Sequence, residues 1–139
     1  MKKFIMILVG VSISLFADFT RDDSVQIVTD DKTGLQWQDN EVKEMNWQDA
    51  IEYCEKLELG GYADWRLPNI NELGSIADDT KSNPSIDSVF RTTKSDIYWS
   101  STTYVYSSQN AWIIRFTKGS YNGAGKMDHY YVRCVRVVQ

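Results

Sequence analysis

The sequence predicts an α+β fold in which a β-hairpin and two helices precede an antiparallel sheet. Three patterns carry that expectation. Apolar–polar alternation flanks a turn near residue 30, apolar residues recur at helical spacing between 47 and 76, and alternation returns after residue 96. Strands and helices do not alternate as βαβ units, and no internal repeat or low-complexity linker interrupts the order.

Taken along the chain, Val25-Gln26-Ile27-Val28 reads as a strand and Asp30-Asp31-Lys32-Thr33-Gly34 as turn chemistry. Leu35-Gln36-Trp37-Gln38 then alternates as the returning strand of a hairpin. Asn46 reads as an N-cap, because its side-chain oxygen can accept from a free N–H in the first turn. Behind it Trp47, Ala50, Ile51, Cys54 and Leu57 fall on one helical face, and Gly60-Gly61 reads as the stop. Asn69-x-x-Glu72 resembles a capping box, with Leu73 and Ile76 as the buried stripe of a second, shorter helix. Asp78 to Asp96 is polar, contains Asn83-Pro84 and reads as a loop anchored by Ile86, Val89 and Phe90. Strands are expected over Ile97–Tyr106, Ala111–Thr117 and Tyr130–Val138, with Gly119, Gly123 and Gly125 marking a long turn before the last.

Lys2 and Lys3 precede an apolar run from Phe4 to Phe16 that ends at Ala17, the order of a secretory signal peptide. Residues 1–17 are therefore expected to be removed, and 18–139 to form a single domain outside the cytoplasm: periplasmic, cell-surface or secreted. The 13-residue run is short for a membrane span, so no span is expected after cleavage. The remaining chain carries 13 basic and 19 acidic residues, a net −6, unevenly divided: −11 over residues 18–89 and +5 over 90–139. The acidic total argues against nucleic acid as a partner. Cys54 and Cys134 are the two cysteines, and in an oxidising compartment an even pair reads as a disulfide. Neither lies in a CxxC or Cys/His spacing, which a metal or redox site would use.

The chain has one histidine, His129, with no Ser or Cys beside it in a nucleophile motif, so no catalytic residue is assigned. Asp78, Asp79 and Asn83 are the best-placed oxygen donors for Ca²⁺, but they lack the D-x-D-x-D-G spacing of an EF-hand, and no cofactor is expected. Of the five tryptophans, Trp47 and Trp112 fit core faces, while Trp65 and Trp99 are placed near Arg66, which reads as a scaffold residue. Tyr104, Tyr106 and Tyr121 with Arg115, Lys118, Lys126 and Arg133 form the candidate ligand surface, which Tyr130, Tyr131 and Arg136 extend. Aromatic rings and cations side by side suit a carbohydrate or an anionic ligand.

Five linked motifs, in order, carry a resemblance. They are Thr33-Gly34-Leu35-Gln36-Trp37-Gln38; Trp47-x-x-Ala50 running to Tyr53-Cys54; Gly60-Gly61-Tyr62-Ala63-Asp64-Trp65-Arg66-Leu67-Pro68; Tyr98-Trp99-Ser100-Ser101-Thr102; and Val132-Arg133-Cys134-Val135-Arg136. Together they resemble the Lcl C-terminal domain family over roughly residues 19–138. That family is similar to the C-type-lectin-like superfamily. The resemblance implies two helices packed on a twisted antiparallel sheet with long loops, and a disulfide from the first helix to the last strand. Trp65-Arg66-Leu67-Pro68 with Glu72 also resembles the formylglycine-generating-enzyme branch, whose active site uses reactive cysteines.

The family takes its name from collagen-like adhesins whose C-terminal domain is associated with glycosaminoglycan binding and trimer assembly. This chain has no Gly-X-Y repeat and no Glu-Pro-Asn or Trp-Asn-Asp motif of Ca²⁺-dependent lectins. The resulting expectation is an exported, non-catalytic binding or adhesion module for a carbohydrate or a surface protein. It would present the loops around 78–96 and 104–128. An enzyme of the formylglycine-generating branch and a self-assembling envelope protein, hence a homo-oligomer, are the alternatives.

Overall fold

Short alternating segments build the first sheet. The computed structural model describes residues 18–139, and the expected signal segment at 1–17 lies outside the described residues. Strands β1 (Phe19–Asp22), β2 (Ile27–Asp30) and β3 (Leu35–Gln38) form an antiparallel meander. The β2–β3 turn closes where Gly34 donates to the Asp30 carbonyl at 2.9 Å and adopts φ +71°, a left-handed value that favours glycine. Strand β4 (Lys43–Met45) leads into α1 (Trp47–Lys56). The Asn46 side chain accepts from the Asp49 N–H at 2.9 Å, and Ala50 and Cys54, one turn apart, are buried.

The helix ends at Lys56, before the expected Gly60-Gly61 stop. Leu57 turns extended, and Leu57 and Leu59 pack against the core. The two glycines, at φ +64° and +81°, instead make the turn of the Leu59–Tyr62 bridge. Helix α2 (Ile70–Ser75) begins at Asn69 as expected. The Asn69 side chain accepts from the Glu72 N–H at 2.8 Å, and the Glu72 carboxylate accepts from the Asn69 N–H at 3.0 Å.

Strands β5 (Ile97–Thr103), β6 (Asn110–Arg115), β7 (Ser120–Gly125) and β8 (Tyr130–Val132) complete a second sheet with β4, in the order β4-β8-β5-β6-β7. Its neighbours are antiparallel except β5 and β8, which run parallel at Tyr98 and Tyr131. Strand β9 (Val135–Val137) pairs with β3 in the first sheet. Two expectations are corrected here. Ser120–Gly125 is a strand, because six consecutive pairings with β6 override its glycines. The expected strand Tyr130–Val138 is two strands in different sheets, and the chain crosses between them at Arg133 and Cys134.

Alternation divides the core. Ile27, Trp99 and Ile113 join Ala50, Cys54 and Trp65 in one cluster, whereas Val28, Tyr98 and Ile114 join Leu73, Ile76 and Phe116 in the other. Trp37 and Trp99 are fully buried, one in each cluster. Each removes area from water equivalent to roughly 4–6 kcal/mol before entropy is counted. Cys54 and Cys134 form the expected disulfide, with Cα atoms 5.5 Å apart, and so tie α1 to the crossing point between the sheets. Ile86 and Phe90 anchor the 78–96 loop, as their apolar character implies.

Candidate functional site

The basic residues of the late sequence have two fates, and burial separates them. Arg133 is only 3% exposed. Its guanidinium donates to Asp39 Oδ1 at 3.0 Å, to the Gln38 carbonyl at 2.6 Å, and to the Thr92 carbonyl and Thr93 Oγ1 at 2.7 Å each. It lies 5.0 Å from the centroid of the Phe90 ring. Asp39, fully buried, also accepts from Arg21 Nε at 2.7 Å and from the Arg91 and Thr92 N–H groups. Burial alone would push the Asp39 carboxyl up, but Arg133, the Arg91 amide and Arg21 together hold it below the ordinary carboxylate range.

Arg133 therefore leaves the candidate ligand surface. Its charge is matched inside the fold, where it pins the 78–96 loop to the junction of the sheets. Arg136 is likewise buried, paired with Asp64 at 2.7 Å and 3.6 Å from the centroid of the Tyr62 ring. Arg66 is a scaffold residue, as expected: it makes a bidentate pair with Glu72 at 2.6 and 2.7 Å. That contact, with the Asn69 amide, holds the Glu72 carboxyl below its ordinary range. Trp65 is buried beside it, its indole N–H donating to the Leu59 carbonyl. Behind the crossing point, Gln38 donates to the Tyr53 hydroxyl at 2.8 Å, which donates to Glu41 at 2.5 Å. Burial and Glu41 push that phenol well above its ordinary range, so it stays a donor.

The aromatic candidates gather at the end of the β5–β6 hairpin. Tyr104 donates its N–H to the Asn110 carbonyl at 2.8 Å, which closes the hairpin and fixes the start of the connecting loop. The Tyr104 ring meets Trp112 edge-on at 4.6 Å and Tyr106 at 5.2 Å. Its seat is Gly123 on β7, where an added Cβ would stand 2.9 Å from the ring. Tyr106 is 81% exposed and Val105 78% exposed beside it. Tyr121, 53% exposed, lies two residues along β7 with its hydroxyl over Gly74 of α2. Gly123→Ala is expected to displace the Tyr104 ring and lower stability by about 1–3 kcal/mol through overpacking. Chemical denaturation and near-ultraviolet circular dichroism check this, and an unchanged aromatic spectrum would contradict it.

Of the expected cations, Lys126 lies at the same end as these rings, whereas Arg115 and Lys118 do not. Lys126 Nζ sits 4.0 Å from the centroid of the Trp47 ring and donates to Thr103 Oγ1 at 3.0 Å and the Ser108 carbonyl at 2.8 Å. Arg115 and Lys118 lie at the opposite end of the β6–β7 pair, where Arg115 faces Ser120. Six residues of β6 put that end about 17 Å from Asn110 at strand rise. Gly123 and Trp112 were missed as site residues, one read as a turn glycine and the other as core. A glycine between aromatic residues in a strand is itself a sign that another group packs closely there.

The Ca²⁺ candidates are engaged separately. Asp78 Oδ1 accepts from Thr80 N–H at 2.9 Å and Thr80 Oγ1 at 2.6 Å, and Asn83 Oδ1 accepts from Ser95 Oγ at 3.2 Å. Asp79 is exposed beside Gly119. Among the described residues no three His, Cys, Asp or Glu side chains gather as a metal site would require. In the same loop, an open cleft of about 480 Å³ is lined by Lys81, Pro84, Ile86, Asp87 and Phe90, among others. His129 is exposed just before β8, and both cysteines are consumed in the disulfide.

Among known families, the one described as Lcl C-terminal domain matches residues 26–136, a span that contains both cysteines, the Asp39–Arg133 pair and the whole tyrosine–tryptophan face. No curated protein matches the chain.

Proposed function

The chain belongs to the Lcl C-terminal domain family, and from that premise we propose that it is an exported, non-catalytic binding module of C-type-lectin-like fold that takes a carbohydrate on its tyrosine–tryptophan face. One observation carries the reading: Tyr106 is 81% exposed with its ring against the edge of Tyr104. Tyr104 beneath it is packed edge-on against Trp112 and seated on Gly123, so the ring next to Tyr106 is placed by its neighbours. Pyranose C–H groups carry partial positive charge and suit the negative face of such a ring. Ser107, Ser108 and Gln109 follow in the same loop, and Asn110 opens β6; their side chains offer donors and acceptors for sugar hydroxyls. Export is supported by the residues at 1–17 and by the disulfide.

A glycan array run with and without Ca²⁺ tests the reading. Tyr106→Ala is expected to weaken the bound glycan about five- to tenfold, the loss of one stacking contact. Chelation is expected to leave the signal unchanged, because Asp78 and Asn83 already use their oxygens internally. Equal binding by wild type and Tyr106→Ala would count against this face.

A second reading, a protein partner, is favoured by Val105 and Met127, 78% and 83% exposed near the same end of the sheet. Self-assembly would be such a case, and light scattering across a concentration series addresses it. The enzymatic alternative loses support where Cys54 and Cys134 are bonded to each other. The segment that resembles the formylglycine-generating branch is accounted for by the Arg66–Glu72 pair and the capping box.

A further inference from the structure

Resting on the carbohydrate reading above, we propose that Lys126 is the positioning residue of the site: it holds the loop that carries Tyr106 in one place on the domain, and so strengthens binding without touching the ligand. The loop's own bonds set its shape but not where it sits. Tyr104 N–H donates to the Asn110 carbonyl, Ser107 N–H to the Tyr104 carbonyl at 3.1 Å, and Asn110 N–H to the Ser107 carbonyl at 3.0 Å. All three close within the end of the hairpin. Tyr104 is seated against Trp112 and Gly123, which fixes the first half of the loop. The second half has no such seat. Among the described residues, the hydrogen bonds that tie Ser107–Gln109 to the rest of the fold both come from Lys126. Its N–H donates to the Gln109 carbonyl at 2.9 Å, and its ammonium donates to the Ser108 carbonyl at 2.8 Å.

Lys126 is itself well anchored. Its carbonyl accepts from the Trp47 N–H at 3.1 Å, and its ammonium donates to Thr103 Oγ1 at 3.0 Å and lies 4.0 Å from the centroid of the Trp47 ring. Trp47 opens α1, and its indole N–H donates to the Ser100 carbonyl of β5 at 2.9 Å. One residue therefore joins the helix start, the end of β5 and the outer half of the loop. The ammonium's partners are a hydroxyl, a carbonyl and a ring, all neutral, so its positive charge stays in full at the foot of the loop. A loop held in place before binding has less freedom to lose when a glycan orders it.

The test pairs Lys126→Met, which keeps the length and loses the ammonium, with Lys126→Arg, which keeps a charged donor. Nitrogen-15 relaxation is expected to show the Val105–Gln109 amides more mobile in Lys126→Met and close to wild type in Lys126→Arg. Calorimetric titration with chitotetraose, which has an uncharged surface when N-acetylated and so gives the ammonium nothing to attract, is expected to weaken about fivefold in Lys126→Met and to return to within about twofold of wild type in Lys126→Arg. If Lys126→Met does not fold, Thr103→Val, which removes one acceptor and keeps the lysine, is expected to loosen the same amides. Unchanged loop amides would overturn the positioning role, as would loosened amides with unchanged chitotetraose affinity. Weakening confined to a heparin tetrasaccharide, and only at low salt, would mean that Lys126 acts on the ligand by charge, which overturns positioning while the carbohydrate reading stands. If wild type binds neither oligosaccharide yet the loop loosens in Lys126→Met, the carbohydrate reading falls and the hold of Lys126 on the loop stands.

Discussion

Asp39→Ala is expected to lower folding stability by about 3–5 kcal/mol, the range for breaking a buried ion pair from one side. The variant leaves the Arg133 guanidinium, 3% exposed and facing Phe90, without its carboxylate. It also orphans Arg21 Nε and the Arg91 and Thr92 N–H groups, so the 78–96 loop keeps only its Arg133 contacts to the sheet junction. Urea denaturation measures the loss. Arg115→Ala, on an exposed strand position, is the control and is expected to stay within about 0.5 kcal/mol of wild type.

The same carboxylate sets the direction of pH dependence. Asp39 and Glu72 both have folded-state values below their ordinary ones. Each therefore contributes stability that is fully present above the unfolded values of about 4 and is lost as pH falls through the lower folded values. Wild type is expected to hold steady from neutral pH down to about 5 and to weaken below 4. Asp39→Asn keeps the shape but has no carboxylate to protonate, so its acid limb is expected to be shallower. Equal acid limbs would show that Asp39 is not the responsible group.

Replacing both cysteines, Cys54→Ser with Cys134→Ser, is expected to lower stability by about 4–5 kcal/mol. The bond joins residues 80 positions apart, and releasing a loop of that size frees the unfolded chain by about this amount. Both sulfurs are fully buried, so the hydroxyls introduced would add a desolvation penalty. Folded domains have roughly 5–15 kcal/mol in all, so the variant would stand near its unfolding threshold at room temperature. A reductant applied to wild type should reproduce the shift. A change below about 1 kcal/mol by both routes would mean that the cross-link constrains little in the unfolded chain.

What the sequence made legible was what local chemistry determines. Asn46 and the Ala50–Cys54 spacing announced α1, Asn69 with Glu72 announced α2, and the pair of cysteines announced the cross-link. What it hid depended on partners far away in the chain. Arg133 alternates like a surface residue within an apparent strand, and its burial follows from Asp39, 94 positions earlier. The sheet change at Arg133 and Cys134 is hidden for the same reason, since alternation runs on through the break. Strand β7 reads as a turn because its glycines weaken any local preference, and only pairing with β6 makes it a strand. Strands β1 and β4, Phe19-Thr20-Arg21-Asp22 and Lys43-Glu44-Met45, are too short and polar to show a pattern.

At the candidate site the tyrosines were legible as aromatic residues without a core role. The separation of Arg115 and Lys118 from them was not. Lys126, Arg115 and Lys118 lie within a dozen positions of one another, yet the β6–β7 pairing carries Lys126 to one end and the other two to the opposite end.

The most direct measurement of the central claim, that a glycan lies on this face, is amide chemical-shift mapping of the labelled protein titrated with cellotetraose and chitotetraose. Shifts confined to Tyr104–Asn110, Trp112 and Gly123, and lost in Tyr106→Ala, are the predicted result. Shifts centred on the Lys81–Phe90 cleft, or unaffected by Tyr106→Ala, would contradict it.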